Sequence, residues 1–222
     1  MNRKHYPTDI TDGEWAILKP LIPAVQPGDR PRFRNVREII NAIFYIQRSG
    51  YARRLLPHEF PTWQTMSYYF RSWRIAGVWE TMLKTVREQV RQALGRVTIP
   101  SAGIIDAQSI KTAEVGGTER GYDGGKKVKG RKRHLLVDTQ GFVLKVKVLA
   151  ANTADQEGAK QLLQGIQAQF PRLRHLWVDG GYRTTFVTWV KEQLGWTVQR
   201  VQHPMRGRVV GLCYRMSNLH RL

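Results

Sequence analysis

The chain has 222 residues, 41% of them hydrophobic and 10% aromatic, which is enough to build a real core and excludes a disordered chain. Its 36 Lys and Arg stand against 17 Asp and Glu, a formal net charge of +19. Such an excess repels itself in a compact fold unless a polyanion offsets it, so nucleic acid is the expected partner. A generic RNA-binding protein would explain the charge as well. A membrane-surface protein explains it less well, because no basic amphipathic helix stands out. The one cysteine, Cys213, cannot form an internal disulfide and has no acidic neighbour to suggest a thiol nucleophile. The first residues, MNRKHYPTDITDGEW, lack an apolar signal core, and no run approaches the roughly 18 apolar residues of a membrane span. A cytoplasmic protein is expected.

Residues 1 to about 97 read as an all-α helical domain. Thr11 and Glu14 have capping-box spacing, and Trp15, Leu18 and Ile22 follow at helical intervals. Pro20 and Pro23 keep that helix short. Val36, Ile39, Ile40, Ile43 and Phe44 trace the apolar face of a second helix, which Gly50 ends. A third begins at Thr62, a candidate N-cap, and carries Met66, Phe70 and Trp73 on one face. A fourth runs from Val78 to about Leu94, with Val78, Met82, Val86 and Val90 stacked every four residues. Short helices separated by turns suit a helix-turn-helix type of module. Its exposed arginines, among them Arg53, Arg54, Arg71 and Arg74, are candidate DNA contacts, with a merely solvated basic face as the alternative.

Residues 98 to 200 change character. GIIDAQSI, HLLVDT, FVLKVKVLAA and LRHLWVDGG read as strands, residues 155–170 and 184–194 as helices, and TVQRV as a last strand. Gln140-Gly141 marks a tight hairpin turn. The order β-β-β-α-β-α-β predicts an antiparallel meander continued by parallel crossovers, hence a mixed α/β sheet covered by helices. Residues 201–222 form a basic tail.

Two acids stand out by placement. Asp106 lies within a strand, where Asp is disfavoured, and Asp179 ends a strand just before Gly180-Gly181. If the two strands are parallel neighbours, the residues are roughly 5 Å apart, and two carboxylates at that distance repel unless cations lie between them. Such a pair can hold Mg²⁺ for in-line phosphoryl transfer. Alternatively each Asp caps a turn or pairs with a nearby cation. Asp138 before a turn, Asp155 as an N-cap and Asp123 in GYDGG read as structural. The run KKVKGRKRH supplies Lys126, Lys127, Lys129, Arg131, Lys132 and Arg133 and leads straight into an apolar strand. It suits phosphate-backbone binding beside an acidic metal site, against the alternative of a solvated strand edge. The six histidines show no zinc-ligand spacing.

With these residues in place, the chain resembles the transposases of bacterial insertion sequences, specifically insertion-sequence family five. The similarity rests on LLPHEFPTWQTMSYYFRSWRIAGVWE, DAQSIKT, GYDGGKKVKGRKRHLLVDTQG and WVDGGY. It implies a ribonuclease H-like catalytic domain behind a helical region that recognises terminal inverted repeats. It implies that Asp106 and Asp179 are the first two acids of a D-D-E triad binding Mg²⁺ or Mn²⁺. It also implies double-stranded DNA as substrate, both terminal repeats and target, with self-association on that DNA near the nucleoid. In the family a later helix carries the glutamate, whereas here the last acid is Glu192, on an earlier helix. The expectation is a truncated or frame-shifted product with incomplete strand transfer; the alternative is a non-catalytic chain that occupies inverted repeats or modulates intact transposase.

Overall fold

The computed structural model describes residues 3–24, 35–112 and 119–201. It divides into two compact units, Met1–Arg96 and Val97–Leu222. No helix among the described residues is long and apolar enough to cross a membrane.

The first unit is helical: α1 (Asp12–Leu18), α2 (Val36–Ser49), α3 (Trp63–Ile75) and α4 (Val78–Ala93), with 3-10 turns at Lys19–Leu21 and Arg53–Leu55. The capping box forms, Glu14 N donating to Thr11 Oγ1 at 3.2 Å and Thr11 N to Glu14 Oε2 at 2.7 Å. Gly50 ends α2 in a left-handed conformation, φ 70°, that glycine reaches without a Cβ clash. Thr62 occupies the N-cap of α3, but its hydroxyl pairs with that of Thr65 and caps no amide. Ile39, Ile40 and Ile43 meet Met66, Trp73, Val78 and Met82 in one core. Val86 and Val90 leave it and are exposed. Four residues overshoot one helical turn by about 40°, so a row of every fourth residue winds off the buried side.

The second unit is a mixed sheet with helices: β1 (Ala102–Lys111), β2 (Gly121–Asp123), β3 (Val128–Asp138), β4 (Val143–Ala150), α5 (Asp155–Leu163), α6 (Ile166–Gln169), β5 (His175–Asp179), α7 (Thr184–Leu194) and β6 (Thr197–Val201). β3 pairs antiparallel with β1, β2 and β4, while β1–β5 and β5–β6 are parallel. The β3–β4 turn contains Gly141 at φ 89°, and Asp138 Oδ1 accepts from the amides of Gln140 and Phe142. Three details depart from expectation. β2 is an added strand of three residues, too short to show periodicity. β3 starts at Val128, so most of the basic run is strand. The helix foreseen over 155–170 breaks at Gly165, φ +68°. One sheet face, through Ile105, Leu136, Leu176 and Val178, packs on Leu162, Leu163, Phe186 and Val190.

A buried ionic clasp ties β1, β2, β3 and α5 together. Lys132 Nζ lies 2.9 Å from Asp155 Oδ1 and 3.3 Å from Asp123 Oδ2, and donates to Thr153 O at 2.8 Å. Asp123 also accepts from the hydroxyl of Ser109 and the amides of Gly125 and Lys126. Asp155 is therefore no N-cap: it is the first residue of α5, Ala154 holds the cap position, and the carboxylate turns to the ammonium. The Ser109 hydroxyl, then the Lys126 amide and Lys132, hold Asp123 well below the usual carboxylate range. Burial opposes the charge on Lys132, but Asp155 and Asp123 more than offset it and raise its pKa.

Removing the cation strands two acids, so Lys132→Met should destabilise this unit by about 3 kcal/mol in denaturant titration. The depressed Asp123 contributes stability that is full above its ordinary pKa of about 4 and lost as pH falls. The raised Lys132 contributes below its ordinary pKa of about 10.4 and is lost at higher pH. Ser109→Ala, removing the strongest support of the carboxylate, should make the acid limb of a stability–pH curve shallower; an unchanged limb would assign acid sensitivity elsewhere.

Candidate active site

The parallel ladder between β1 and β5 pairs Gly103 with Leu176 and Ile104 with Trp177. The ladder ends there; continued by two residues, the same register would set Asp106 opposite Asp179. Side chains alternate along a strand, so both acids share the face of Ile104 and Trp177, opposite the helix-packed Ile105 and Val178. Hydrogen-bonded neighbouring strands lie about 5 Å apart, a spacing at which two carboxylates could act on one ion. Asp106 is half-buried and takes no hydrogen bond from a described residue, while Asp179 is exposed at its strand end. Gly181 N donates to Asp179 Oδ1 at 2.9 Å. A Cβ at Gly181 would stand 3.1 Å from that same oxygen, so glycine permits the approach. Two hard oxygen donors in an open position fit Mg²⁺ or Mn²⁺. No third His, Cys, Asp or Glu among the described residues joins them. Glu192 is exposed on α7, and Asp155 is committed to Lys132.

Two residues beneath the acids escaped the sequence reading. Tyr182 is 2% exposed, and its hydroxyl has no hydrogen-bond partner among the described residues. Burial raises its pKa above the ordinary range, and the negative charges of Asp155, Asp179 and Asp106 add to the effect. All three acids thus lie within electrostatic reach of one phenol. His134 is fully buried, and burial lowers its pKa. It lies against α5 where Gly158 has no side chain: a Cβ there would be 2.1 Å from the ring. Tyr182 follows Asp179 by three residues in WVDGGY, and a period-two reading of β3 puts His134 on the Leu136 side; those were the available signals.

The same alternation divides the basic run. Lys132 and His134 turn toward the helices with Leu136. Lys129, Arg131 and Arg133 fall on the opposite face, that of Asp106, because Asp106 pairs with Leu135 and Gln108 with Arg133. Arg133 donates to Gln108 Oε1 at 2.7 Å and Arg131 to Glu119 O at 3.1 Å. Lys126 donates to Ala107 O, next to Asp106, and Lys127 is exposed in the turn at φ 54°. Lys132 must be removed from the predicted DNA contacts: it is 5% exposed, and its ammonium is committed to Asp123, Asp155 and Thr153. In the first unit Arg53 lies over Phe70 and Arg54 over Trp63, with 5.3 and 5.5 Å to the ring centroids. Arg71 and Arg74 are exposed on α3.

Comparison with known proteins gives two family matches. Residues 10–83 match a family described as a transposase of the IS4/5 family, and residues 98–217 match the transposase DDE domain. No curated protein matches the chain. The DDE match spans more than half of the sequence and contains both Asp106 and Asp179, and the mixed α/β unit is consistent with that ribonuclease H-like domain. The chain belongs to the DDE transposase family.

Proposed function

We propose that this transposase cleaves and transfers DNA strands at the inverted repeats of an insertion sequence, with Asp106 and Asp179 as the metal-holding acids. The observation that supports the reading is the parallel β1–β5 ladder, whose register, continued past Ile104 and Trp177, would bring the two carboxylates to one sheet face. A divalent ion held there, Mg²⁺ or Mn²⁺, supplies Lewis-acid stabilisation of charge on attacking and leaving oxygens. The chain's own residues do the rest. Asp106 offers an unengaged carboxylate, and the Gly181 amide fixes the rotamer of Asp179 through one oxygen, leaving the other. Arg131, Arg133 and Lys129 line the same face and neutralise backbone phosphates of duplex DNA without reading sequence. Lys126 and Lys127 extend this cationic margin from the preceding turn. Self-association on DNA would bring two ends together. The expected absence of a third acid concerns residues 202–222, which lie outside the described residues.

The test is a duplex carrying the terminal repeat, incubated with purified chain and Mg²⁺ and resolved on a denaturing gel. Cleavage is expected, and Asp106→Asn should lower its rate by about a hundredfold or more while leaving duplex affinity intact. Retention of the duplex without any cleavage by the wild type would establish the non-catalytic alternative. Titrations at several salt concentrations separate the basic residues. Arg131→Ala and Arg133→Ala should each reduce the salt slope of binding by about one, on terminal and unrelated duplexes alike. Lys132→Met, assayed where it remains folded, should leave that slope unchanged.

A further inference from the structure

The four helices of the first unit do not present the same chemistry. α1 contains Asp12 and Glu14, α2 contains Glu38, and α4 contains Glu80 and Glu88. α3 contains Arg71 and Arg74 and no acid. From Tyr51 to Gly77 the one acid is Glu59, which accepts a hydrogen bond from Tyr6. The inner face of α3 is fixed in the core through Met66 and Trp73. Its outer face carries Gln64, Tyr68 and Arg71, spaced four and three residues apart and all exposed. Gln64 and Arg71 make no hydrogen bond or ion pair with a described residue, and Tyr68 makes only an edge contact with Tyr69 at 5.4 Å. Tyr68 is 66% exposed and leaves a large aromatic surface open.

We infer that α3 is the base-reading helix, placing Gln64, Tyr68 and Arg71 in the major groove of duplex DNA while Arg53, Arg54 and Arg74 hold the flanking phosphates. The inference rests on the proposal that this chain binds DNA ends. Gln and Arg are the side chains that pair bidentately with adenine and guanine edges, and an aromatic ring can meet a thymine methyl. From residue 64 to 71 a helix rises about 10 Å, the height of about three base-pair steps of 3.4 Å. The rings of Phe70 and Trp63 keep the guanidiniums of Arg53 and Arg54 at the margin of this face with donors to spare. A second copy of the chain is the other occupant that exposed Tyr68 and Ile75 could suggest. Two such faces would bring eight arginines together with no acid on either helix, so charge complementarity favours a polyanion.

The experiment is selection of the full chain against duplexes with a randomised core, followed by titration of the selected and a scrambled duplex. Wild type is expected to select a motif. Gln64→Ala and Arg71→Ala should each relax preference at neighbouring positions and weaken the selected duplex by about tenfold, with little change on the scrambled one. Arg53→Ala should weaken both equally. A motif unchanged in both Gln64→Ala and Arg71→Ala overturns the inference. So does a Tyr68→Ala chain that sediments as a monomer where wild type is a dimer, with its motif intact. Absence of any duplex binding by folded wild type would remove the DNA-end reading itself, whereas a selected motif without cleavage would remove only catalysis.

Discussion

Two acids carried by adjacent parallel strands, Asp106 on β1 and Asp179 at the end of β5, set the constraint around which the second unit is built. Carboxylates brought to about 5 Å repel each other, and a half-buried setting such as that of Asp106 screens the repulsion less than open water would. Among the described residues no cation forms an ion pair with either acid. Lys126, brought against β1 by the fold, donates to the Ala107 carbonyl, and Lys132 pairs with two other acids on the opposite side of the sheet. Acids without an ion-pair partner among the described residues are compatible with stability because the surrounding sheet is held by other means.

Those other means lie on the helix side. The Lys132 clasp joins three strands to α5, and Ile105, Leu136 and Val178 pack continuously on α5 and α7. Burying an ammonium among carboxylates is costly unless its bonds are satisfied, and here Asp123, Asp155 and the Thr153 carbonyl satisfy it. The sheet is thus two-sided in chemistry as well as in packing. Its helix side fixes geometry, and its other side carries Asp106, Arg131 and Arg133.

Much of this was legible in the residues. The capping box at Thr11, the Gly50 stop, the strand–helix order after residue 97 and the oddity of an Asp inside GIIDAQSI all follow from local rules of propensity and period. The errors also have local causes. The basic run hid the first half of β3, because alternating Lys and Arg give no apolar rhythm, although they occupy alternate faces as any strand residues do. Asp155 looked like a cap because cap residues and ion-pair partners share the same side chain, and the deciding partner, Lys132, is distant in sequence. Val86 and Val90 share a four-residue repeat with Val78 and Met82 but not their burial, because such a row winds around the helix. Tyr182 and His134 could not be ranked before their surroundings were known, since burial and proximity to three carboxylates are properties of the fold.

By itself the sequence determined the helical and mixed α/β parts, the polyanion partner and the two acids worth watching, because these depend on composition and on periods of a few residues. Only the tertiary structure decided that β1 and β5 are parallel neighbours, that the basic run is split between two sides, and that α3 has an uncommitted outer face. Strand adjacency, register and the pairing of distant charges are fixed by contacts between segments tens of residues apart, and no local pattern encodes them.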